Sequence, residues 1–268
     1  MGLLRTVFTK ALARRILAGP RKRFVFLYHD ISDPGSPQYS PLYSTQVQRF
    51  KAQVEMIAKH FHLVSLEEVV KEHPQENRRL ASITFDDGFA SVKDEAMPYL
   101  GLKGIPFSVF VNSMAVKHNR LFYGPDVPDI NRSYDRKVFL DEADIKGLAA
   151  KGIDIGSHSS THKVLAECDQ ATLKEEILEN KLYIESLTNK AVKHFALPFG
   201  KKEHYDERVL EECRLAGHEF IYSTNPTFFE SSSASYQRRL IPRIGLTNET
   251  PAEVIFMINR PLLKTIDI

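Results

Sequence analysis

The sequence predicts an α/β fold organised around a mainly parallel sheet, and two observations support this prediction. Short β-rich runs alternate with helical patterns along the 268-residue chain. Each cluster of polar residues suited to catalysis or binding directly follows a predicted strand, where open α/β sheets and β/α barrels carry their active sites. No repeat or linker divides the sequence, so we predict one domain over residues 24–268, preceded by a basic amphipathic segment over residues 1–23.

The predicted strands are short apolar runs rich in β-branched and aromatic residues. Polar or turn-forming residues bound each run, and its length suits a strand better than a helix. In order along the chain, the predicted strands span 24–28, 80–85, 107–111, 153–155, 194–197, 220–222 and 239–243. The polar, proline-containing stretch 113–139 has no such pattern and is predicted to be a long loop.

Helices are predicted between these strands from capping residues and a 3.6-residue apolar period. Thr45 and Gln48 form a capping box for the first helix, and Pro98 is expected to end the second. Asp141 caps a third helix, which ends at Gly152. The remaining predicted helices cover 173–187, 205–216 and a segment from Pro251. The charged faces of the helix over 173–187 carry Glu175, Glu176, Glu179 and Lys181.

Two pairs of residues have the composition of a metal site. Asp86 and Asp87 follow the strand 80–85, and adjacent residues there point in different directions, so one can bind a metal while the other faces a substrate. His158 and His162 are four residues apart, and two imidazoles can converge on one cation, as in zinc sites that keep an open position for water. The competing interpretations are a turn or cap for the aspartates and structural roles for the histidines.

Three segments together resemble the polysaccharide deacetylases, also called the NodB-homology family or carbohydrate esterase family 4. Thr84–Gly88, His158–His162 and Leu197–Gly200 resemble the first three motifs of that family in order and spacing. The resemblance extends from about Phe24 to about Pro251. It implies a distorted, incomplete β/α barrel and the removal of N-acetyl groups, or sometimes O-acetyl or formyl groups, from sugars.

The resemblance also implies a role for each motif residue. Asp87, His158 and His162 would hold a divalent metal, with zinc the expected ion. Asp86 would be the general base that activates the attacking water, and the backbone N–H of Phe199 would help to bind the oxyanion. These roles are chemically consistent, because a divalent metal acidifies water and polarises a carbonyl, while a fixed N–H donor stabilises the developing charge.

The sequence departs from the family pattern at the arginine that usually begins the third motif. Ala196 occupies this position, where the family's arginine orients the catalytic aspartate. We hypothesise that Arg243 reaches Asp86 from a neighbouring strand and replaces it. The alternative is an arginine at the surface or the rim of the core.

The general acid also differs in its position along the chain. The family usually has a histidine near the C-terminus, but no histidine follows His218. Leu27–His29, at the end of the first strand, resembles instead the biofilm poly-N-acetylglucosamine deacetylases, in which the motif order is permuted. This resemblance assigns His29 as the acid that protonates the leaving amine, with Asp30 as a candidate to orient it. A structural core histidine is the alternative.

Residues 1–23 carry seven Lys and Arg residues among apolar side chains and contain no acid. They fit either a basic helix lying on an anionic membrane or a solvated helix packed on the domain. Charged residues interrupt the apolar stretch, so it does not match a secretory signal. We therefore expect a cytoplasmic protein, with peripheral contact at the inner face of the membrane under the first alternative. The net charge of +2 gives no nucleic-acid signature.

These observations predict a metal-dependent hydrolase that removes N-acetyl groups from an amino sugar in a glycan or glycan precursor. The expected partner is an N-acetylated sugar or glycan, free or lipid-linked. The alternatives are a deformylase or O-acetyl esterase acting on a lipid-linked sugar, and a non-catalytic carbohydrate-binding member of the family. Retention of both aspartates and both histidines argues against the last alternative, whereas Ala196 argues for it.

Overall fold

The strands form one parallel sheet that nearly closes into a barrel surrounded by helices. A computed structural model describes residues 22–71, 78–121 and 137–263. The predicted N-terminal segment therefore lies outside the described residues except at its last two positions. Within the described part of the chain, no helix is both long enough and apolar enough to cross a membrane.

Eleven strands are found in the described residues, and all of their pairings are parallel. Nine of them form the main sheet, in the order β10-β9-β8-β7-β6-β5-β1-β11, with β4 also paired to β5. The strands are β1 Phe24–Tyr28, β2 Asp30–Ile31, β3 Ser44–Thr45, β4 His62–Leu63, β5 Leu80–Phe85, β6 Phe107–Val111, β7 Asp154–Ser157, β8 His194–Ala196, β9 Phe220–Ser223, β10 Leu240–Pro242 and β11 Ile244–Gly245.

Helices connect successive strands and cover the outside of the sheet. The α-helices are α1 Val47–His60, α2 Leu66–Val70, α3 Met97–Leu102, α4 Ser113–His118, α5 Glu142–Ala150, α6 Gln170–Lys174, α7 Asn180–Thr188, α8 Glu207–Leu215, α9 Ala234–Gln237 and α10 Pro251–Leu263. Two π-helical turns, Val92–Ala96 and Glu175–Glu179, join directly onto α3 and α7. The β/α architecture confirms the predicted fold class.

The barrel closes at Arg243, the single residue between β10 and β11. The first half of this stretch pairs with β9, where Leu240 lies opposite Ile221, and the second half pairs with β1, where Phe26 lies opposite Ile244. One short segment thus links the two edges of the sheet. Its position explains how a residue late in the sequence reaches the carboxyl ends of β1 and β5.

The central strands are buried along their whole length, as the continuous apolar runs predicted. Every residue of β1, β5 and β6 is buried. Aromatic side chains fill much of this core, for example Tyr28 against Phe50, with ring centroids 5.1 Å apart. The buried sheet supplies a rigid base for the loops at its carboxyl edge.

The first helix begins differently from the predicted capping box. Thr45 belongs to β3, and α1 begins at Val47 with Gln46 at the N-cap. Side chains distant in sequence satisfy its first N–H groups: Asn248 accepts from Gln46 at 2.9 Å and Asp33 accepts from Val47 at 3.1 Å. The capping box is therefore wrong, because tertiary contacts take over its hydrogen bonds.

Two other predicted boundaries are also wrong. The second helix continues beyond Pro98 to Leu102, because the preceding π-helical turn places this proline in the first turn of α3, where its missing N–H costs little. The predicted loop over 113–139 contains a helix at its start, α4, which ends at Asn119 in the left-handed conformation with φ 51°. By contrast, the predicted Asp141 cap is confirmed, with Asp144 completing a capping box.

Candidate active site

The carboxyl ends of four strands of the main sheet, β1, β5, β7 and β8, bring the predicted site residues together. Asp86 and Asp87 follow β5, and His158 follows β7. Phe199 lies three residues after β8 and His29 directly follows β1. The backbone N–H of Asp86 donates to the carbonyl of Tyr28 at 2.9 Å, which joins the ends of β1 and β5. The predicted residues therefore share one edge of the barrel.

Asp87, His158 and His162 form a compact group of potential metal ligands. One ligand atom from each lies within 4.8 Å of the other two, and all three side chains are buried. Nε2 of His158 lies 3.3 Å from Oδ1 of Asp87, and Nε2 of His162 lies 3.6 Å from the same oxygen. Neither carboxylate oxygen of Asp87 has a hydrogen-bond partner among the described residues. A buried carboxylate in this state fits a metal ligand, since burying a charge unpaired is costly.

The tautomer of His158 follows from its other ring nitrogen. Nδ1 lies 2.8 Å from the carbonyl oxygen of Ala196, so Nδ1 carries the hydrogen and donates it. The neutral ring then presents the lone pair of Nε2 to the carboxylate of Asp87. Two electron-rich atoms at 3.3 Å require a cation between them, either a proton or a metal ion. Such a backbone contact is the usual way that a metal-binding imidazole is oriented.

The pKa values of the two histidines shift in opposite directions. Burial by itself lowers the pKa of His158, but the carboxylates of Asp86 and Asp87 outweigh burial and raise it above its ordinary value. Burial lowers the pKa of His162 to about 3, which keeps this ring neutral. A neutral imidazole is the form that coordinates a metal.

Four residues of the site have a left-handed backbone. Asp87, Ser159, His162 and Phe199 have φ values of 70°, 63°, 62° and 60°. They are four of the seven residues other than glycine with positive φ in the described chain. Each such residue costs roughly 1–3 kcal/mol, so the surrounding structure must hold it in place. Strained backbone is thus concentrated in the three loops that carry the predicted site residues.

Arg243 makes two parallel hydrogen bonds to Asp86. Nη1 donates to Oδ1 at 2.8 Å and Nη2 to Oδ2 at 2.7 Å, with Arg243 fully buried. Its guanidinium also lies over the rings of Phe110 and Tyr222, at 5.4 Å and 5.9 Å from their centroids. The geometry hypothesised for Arg243 is thus present, because the stretch that contains it pairs with β1, the strand next to β5.

Charged neighbours keep both aspartates ionised despite burial. Burial raises the pKa of Asp86, but Arg243 and His158 outweigh it and lower the pKa below its ordinary value. Burial likewise raises the pKa of Asp87, and the neighbouring imidazoles, His158 above all and then His162 and His29, lower it overall. Both carboxylates are therefore anionic at neutral pH, one paired with a guanidinium and the other facing imidazoles.

His29 follows Tyr28 of β1, which lies opposite Phe85 at the end of β5, directly before Asp86 and Asp87. It is partly exposed, although its Nδ1 is buried. Asp30 does not orient it as hypothesised. The buried carboxylate of Asp30 accepts instead from the hydroxyls of Ser44 and Ser91, each at 2.7 Å, and of Ser32. The side chain of Asp30 therefore anchors β2 to its surroundings.

Phe199 borders the potential metal ligands through its side chain. Its ring centroid lies 4.6 Å from that of His162 and 5.1 Å from that of His204. The turn after it requires glycine: a Cβ on Gly200, which has φ 65°, would lie 2.6 Å from Cγ2 of Thr224. This turn holds residue 199 beside the metal ligands.

Three buried polar residues that support the site were not found by sequence reasoning. Asn112 donates to the carbonyls of His158 and Ser159, and Asn180 donates to the carbonyl of Val111 at 2.9 Å. The carboxylate of Glu176 accepts hydrogen bonds from the N–H and the hydroxyl of Thr161. Only Asn112 had a recognisable signal, as a polar residue directly after an apolar strand.

Two other buried histidines lie near the amino ends of the strands, at the opposite edge of the barrel. His194 begins β8; its Nδ1 is 2.8 Å from the hydroxyl of Tyr222 and its Nε2 is 3.5 Å from Glu67 and 3.7 Å from Asp154. His218 precedes β9 and packs against Phe195, with ring centroids 5.1 Å apart. They lie outside the group of potential metal ligands.

Comparisons with known proteins identify the family of this chain. A polysaccharide deacetylase family model matches residues 73–221, which is more than half of the chain. A Bacillus subtilis protein described as a polysaccharide deacetylase, YxkH, is 21% identical over 211 residues; the match covers 77% of this chain and 66% of that protein, just under two thirds of its length. The chain belongs to the polysaccharide deacetylase family.

Solved structures of similar fold include other deacetylases. The Streptococcus pyogenes deacetylase PplD, solved with acetate, has a TM-score of 0.68 at 17% identity; the match covers 93% of this chain and 100% of that one. A de-N-acetylase from Aggregatibacter actinomycetemcomitans has a TM-score of 0.69 at 14% identity, covering 85% of this chain and 96% of that one. At these identities the likeness concerns the fold, which confirms the predicted barrel.

Proposed function

We propose that this member of the polysaccharide deacetylase family is a metal-dependent hydrolase that removes N-acetyl groups from amino sugars of a glycan. The observation that carries the proposal is the buried carboxylate of Asp87, whose Oδ1 lies 3.3 Å and 3.6 Å from Nε2 of two imidazoles, beside a second aspartate held by Arg243. A buried carboxylate that faces two imidazoles, next to a second carboxylate of lowered pKa, is typical of a functional site. The similarity in fold to a de-N-acetylase favours the amide as the bond that is cleaved.

Asp87, His158 and His162 would hold the divalent metal, with zinc the ion that best suits two imidazoles and one carboxylate. When bound, such an ion acidifies water and polarises the acyl carbonyl. Asp87 and His162 would bring one anionic and one neutral ligand to the site, as their lowered pKa values require.

Asp86 is the proposed general base. It is anionic because Arg243 and His158 lower its pKa, and an anionic carboxylate can accept a proton from the attacking water. Arg243 binds both carboxylate oxygens and so fixes the direction in which the remaining lone pairs point. Arg243 is thus a positioning residue, which acts on the reaction through Asp86.

His29 is the proposed general acid. Cleavage of an amide requires a proton on the leaving nitrogen, and His29 lies partly exposed at the carboxyl end of β1, beside both aspartates. The backbone N–H of Phe199 is the proposed donor to the oxyanion. The support for this role is the left-handed turn that holds Phe199 against His162.

The proposal is tested by measuring acetate release from N-acetylglucosamine oligomers by metal-stripped protein, with and without added Zn²⁺ or Co²⁺. We expect release that depends on the metal in the wild type and is lost in Asp86→Asn. The matched control is Asp94→Asn, which changes an exposed aspartate of the following helical turn. Release that persists in Asp86→Asn, or that is unaffected by stripping the metal, would contradict the proposal. Formate released from an N-formyl analogue, without acetate from its N-acetyl counterpart, would assign a deformylase instead.

A further inference from the structure

The loop that carries both histidines is held from one side by a single buried residue, Glu176. Its backbone carbonyl accepts from the N–H of Ser160 at 2.9 Å. One oxygen of its carboxylate accepts from the N–H of Thr161 at 2.9 Å, and the other accepts from the hydroxyl of Thr161. Glu176 therefore binds two consecutive residues that lie between His158 and His162.

A local change of helix type makes the carbonyl of Glu176 available for this contact. In a regular α-helix, the carbonyl of Glu176 would accept from the N–H of Asn180. Glu176 lies instead in the π-helical turn Glu175–Glu179, where the N–H of Asn180 bonds to the carbonyl of Ile177. Such turns are frequent at functional sites, because they redirect backbone groups and side chains. The same turn directs the Glu176 side chain inward, which corrects its predicted place on a charged face.

The carboxylate of Glu176 is buried, so it depends on its hydrogen bonds to the loop between the two histidines. The side chain is 4% exposed, and Nζ of Lys163 lies 3.6 Å from its Oε1. Its neighbours in the same turn, Glu175 and Glu179, are exposed. A buried carboxylate needs hydrogen bonds to offset its lost hydration, and here the loop between the two histidines supplies them.

The hydrogen bonds from Ser160 and Thr161 to Glu176 lie between the two residues of this loop that have a left-handed backbone. Ser159 and His162, on either side of Ser160 and Thr161, have φ values of 63° and 62°. A backbone in this conformation persists only when its surroundings hold it. We propose that Glu176 is a positioning residue for the metal centre, which holds the loop between His158 and His162 so that both imidazoles face Asp87. This inference rests on the proposed function, since it concerns the affinity of the same ligands for a metal.

The test compares metal binding by wild type and Glu176→Gln, which keeps the volume but replaces one acceptor oxygen by an amide donor. Dissociation constants for Zn²⁺ are measured by competition with a coloured chelator, and the ligand geometry by the visible absorption of the Co²⁺ protein. Glu176→Gln is expected to bind Zn²⁺ 10- to 100-fold more weakly, the usual effect of removing a group that orients a metal ligand. Its Co²⁺ absorption bands should also be altered.

Glu175→Gln and Glu179→Gln are the matched controls, since they change the same residue type in the same turn at exposed positions. Both are expected to bind Zn²⁺ like the wild type. Thr161→Val removes the hydroxyl donor and leaves the carboxylate, so it should weaken binding in the same direction by a smaller factor. Thermal melting of the metal-free proteins identifies any variant that does not fold, and if Glu176→Gln is one, Thr161→Val decides the question.

The inference would be overturned, and the proposed function left intact, if folded Glu176→Gln bound Zn²⁺ within twofold of the wild-type affinity. If Glu176→Gln does not fold, the same result in Thr161→Val would overturn it. Absence of Zn²⁺ binding in the wild type would overturn both. Weaker binding confined to Glu176→Gln and Thr161→Val, with unchanged controls, is the supporting result.

Discussion

The two edges of the barrel each bury a histidine beside carboxylates, yet only one edge has the properties of a metal site. At the carboxyl edge, His158 donates from Nδ1 to a backbone carbonyl and presents Nε2 to Asp87. At the amino edge, the carboxylates of Glu67 and Asp154 lie near Nε2 of His194, so Nε2 carries the hydrogen and Nδ1 accepts from the hydroxyl of Tyr222. The first arrangement requires a cation, whereas the second satisfies its own donors and acceptors.

Solvent exposure separates the two edges further. The side chain of Asp87 is fully buried, whereas those of Glu67 and Asp154 are 42% and 44% exposed and remain hydrated. Strained backbone marks Asp87 and His162 but neither His194 nor Glu67. The comparison teaches that a histidine near carboxylates is weak evidence for a metal site. A fully buried carboxylate that faces two imidazoles from a strained loop is stronger evidence.

Replacing one buried histidine by glutamine at each edge should give the largest difference in Zn²⁺ binding and acetate release. His158→Gln removes a metal ligand, so we expect Zn²⁺ binding to be lost and acetate release to fall by roughly 10³-fold, since the electrophile is lost with the ion. His194→Gln should keep Zn²⁺ affinity and acetate release within a few fold of wild type, because the side chains that contact His194 lie outside the proposed metal site. The measurement is acetate release and metal content of both variants. Equal losses in the two would remove the distinction between the edges.

Replacing Arg243 tests whether the activity of Asp86 depends on the two hydrogen bonds that Arg243 donates to it. Arg243→Met is expected to lower kcat by about 10²–10⁴-fold, the contribution of a well-placed general base, and to lower the free energy of unfolding by about 3–5 kcal/mol because a buried charge loses its partner. Arg243→Lys keeps the charge but not the paired hydrogen bonds, and should fall between Arg243→Met and wild type. Steady-state kinetics and urea unfolding measure both effects. Near-normal kcat in Arg243→Met would contradict the positioning role, and Arg239→Met, at an exposed site, is the control.

The acid role of His29 is sharpened by changing the leaving group. We expect His29→Gln to lower acetate release from N-acetyl sugars by about 10²–10⁴-fold. Acetate release from p-nitrophenyl acetate should fall far less, because its leaving group departs without a proton. The measurement is the ratio of the two activities in wild type and variant. Equal losses on both substrates would indicate that His29 acts on binding or folding rather than as an acid.

The smallest expected effect concerns His218 at the amino edge. Burial lowers the pKa of His218 to about 3, so the folded protein does not protonate it, while the unfolded chain does below about pH 6.5. Stability from this group is therefore present above pH 6.5 and is lost as pH falls toward 3, by up to about 1.4 kcal/mol per pH unit.

His218→Phe should remove this contribution and leave activity unchanged at neutral pH. Urea unfolding at pH 7, 6 and 5 measures the slope of the free energy of unfolding against pH. An identical slope in wild type and variant would show that His218 is protonated in the folded protein.

Much of the fold and of the site could be predicted because their signals are local. The apolar runs that form β1, β5 and β6 are buried on both faces, and polar residues at their ends identify the carboxyl edge. The spacing of the three motifs then identified the family. Arg243 was a hypothesis based on a missing arginine, and its place depends on the closure of the barrel.

Other features could not be predicted from the sequence, because they depend on contacts between distant residues or on the one extra residue that a π-helical turn inserts into a helix. The N–H groups at the start of α1 are capped by Asp33 and Asn248, which no local pattern reveals. Glu176 was predicted on a charged helix face, because a 3.6-residue period cannot anticipate a π-helical turn. The residues that support the metal ligands were therefore harder to find than the ligands themselves.

The most direct test of the central claim is the number of metal ions bound per chain, determined by elemental analysis after Zn²⁺ loading and removal of excess ion. The account predicts one ion per chain in the wild type, in Asp86→Asn and in His194→Gln, and none in Asp87→Ala or His158→Gln. Retention of the ion in Asp87→Ala and His158→Gln, or its loss in His194→Gln, would contradict the assignment of the metal site to the carboxyl edge.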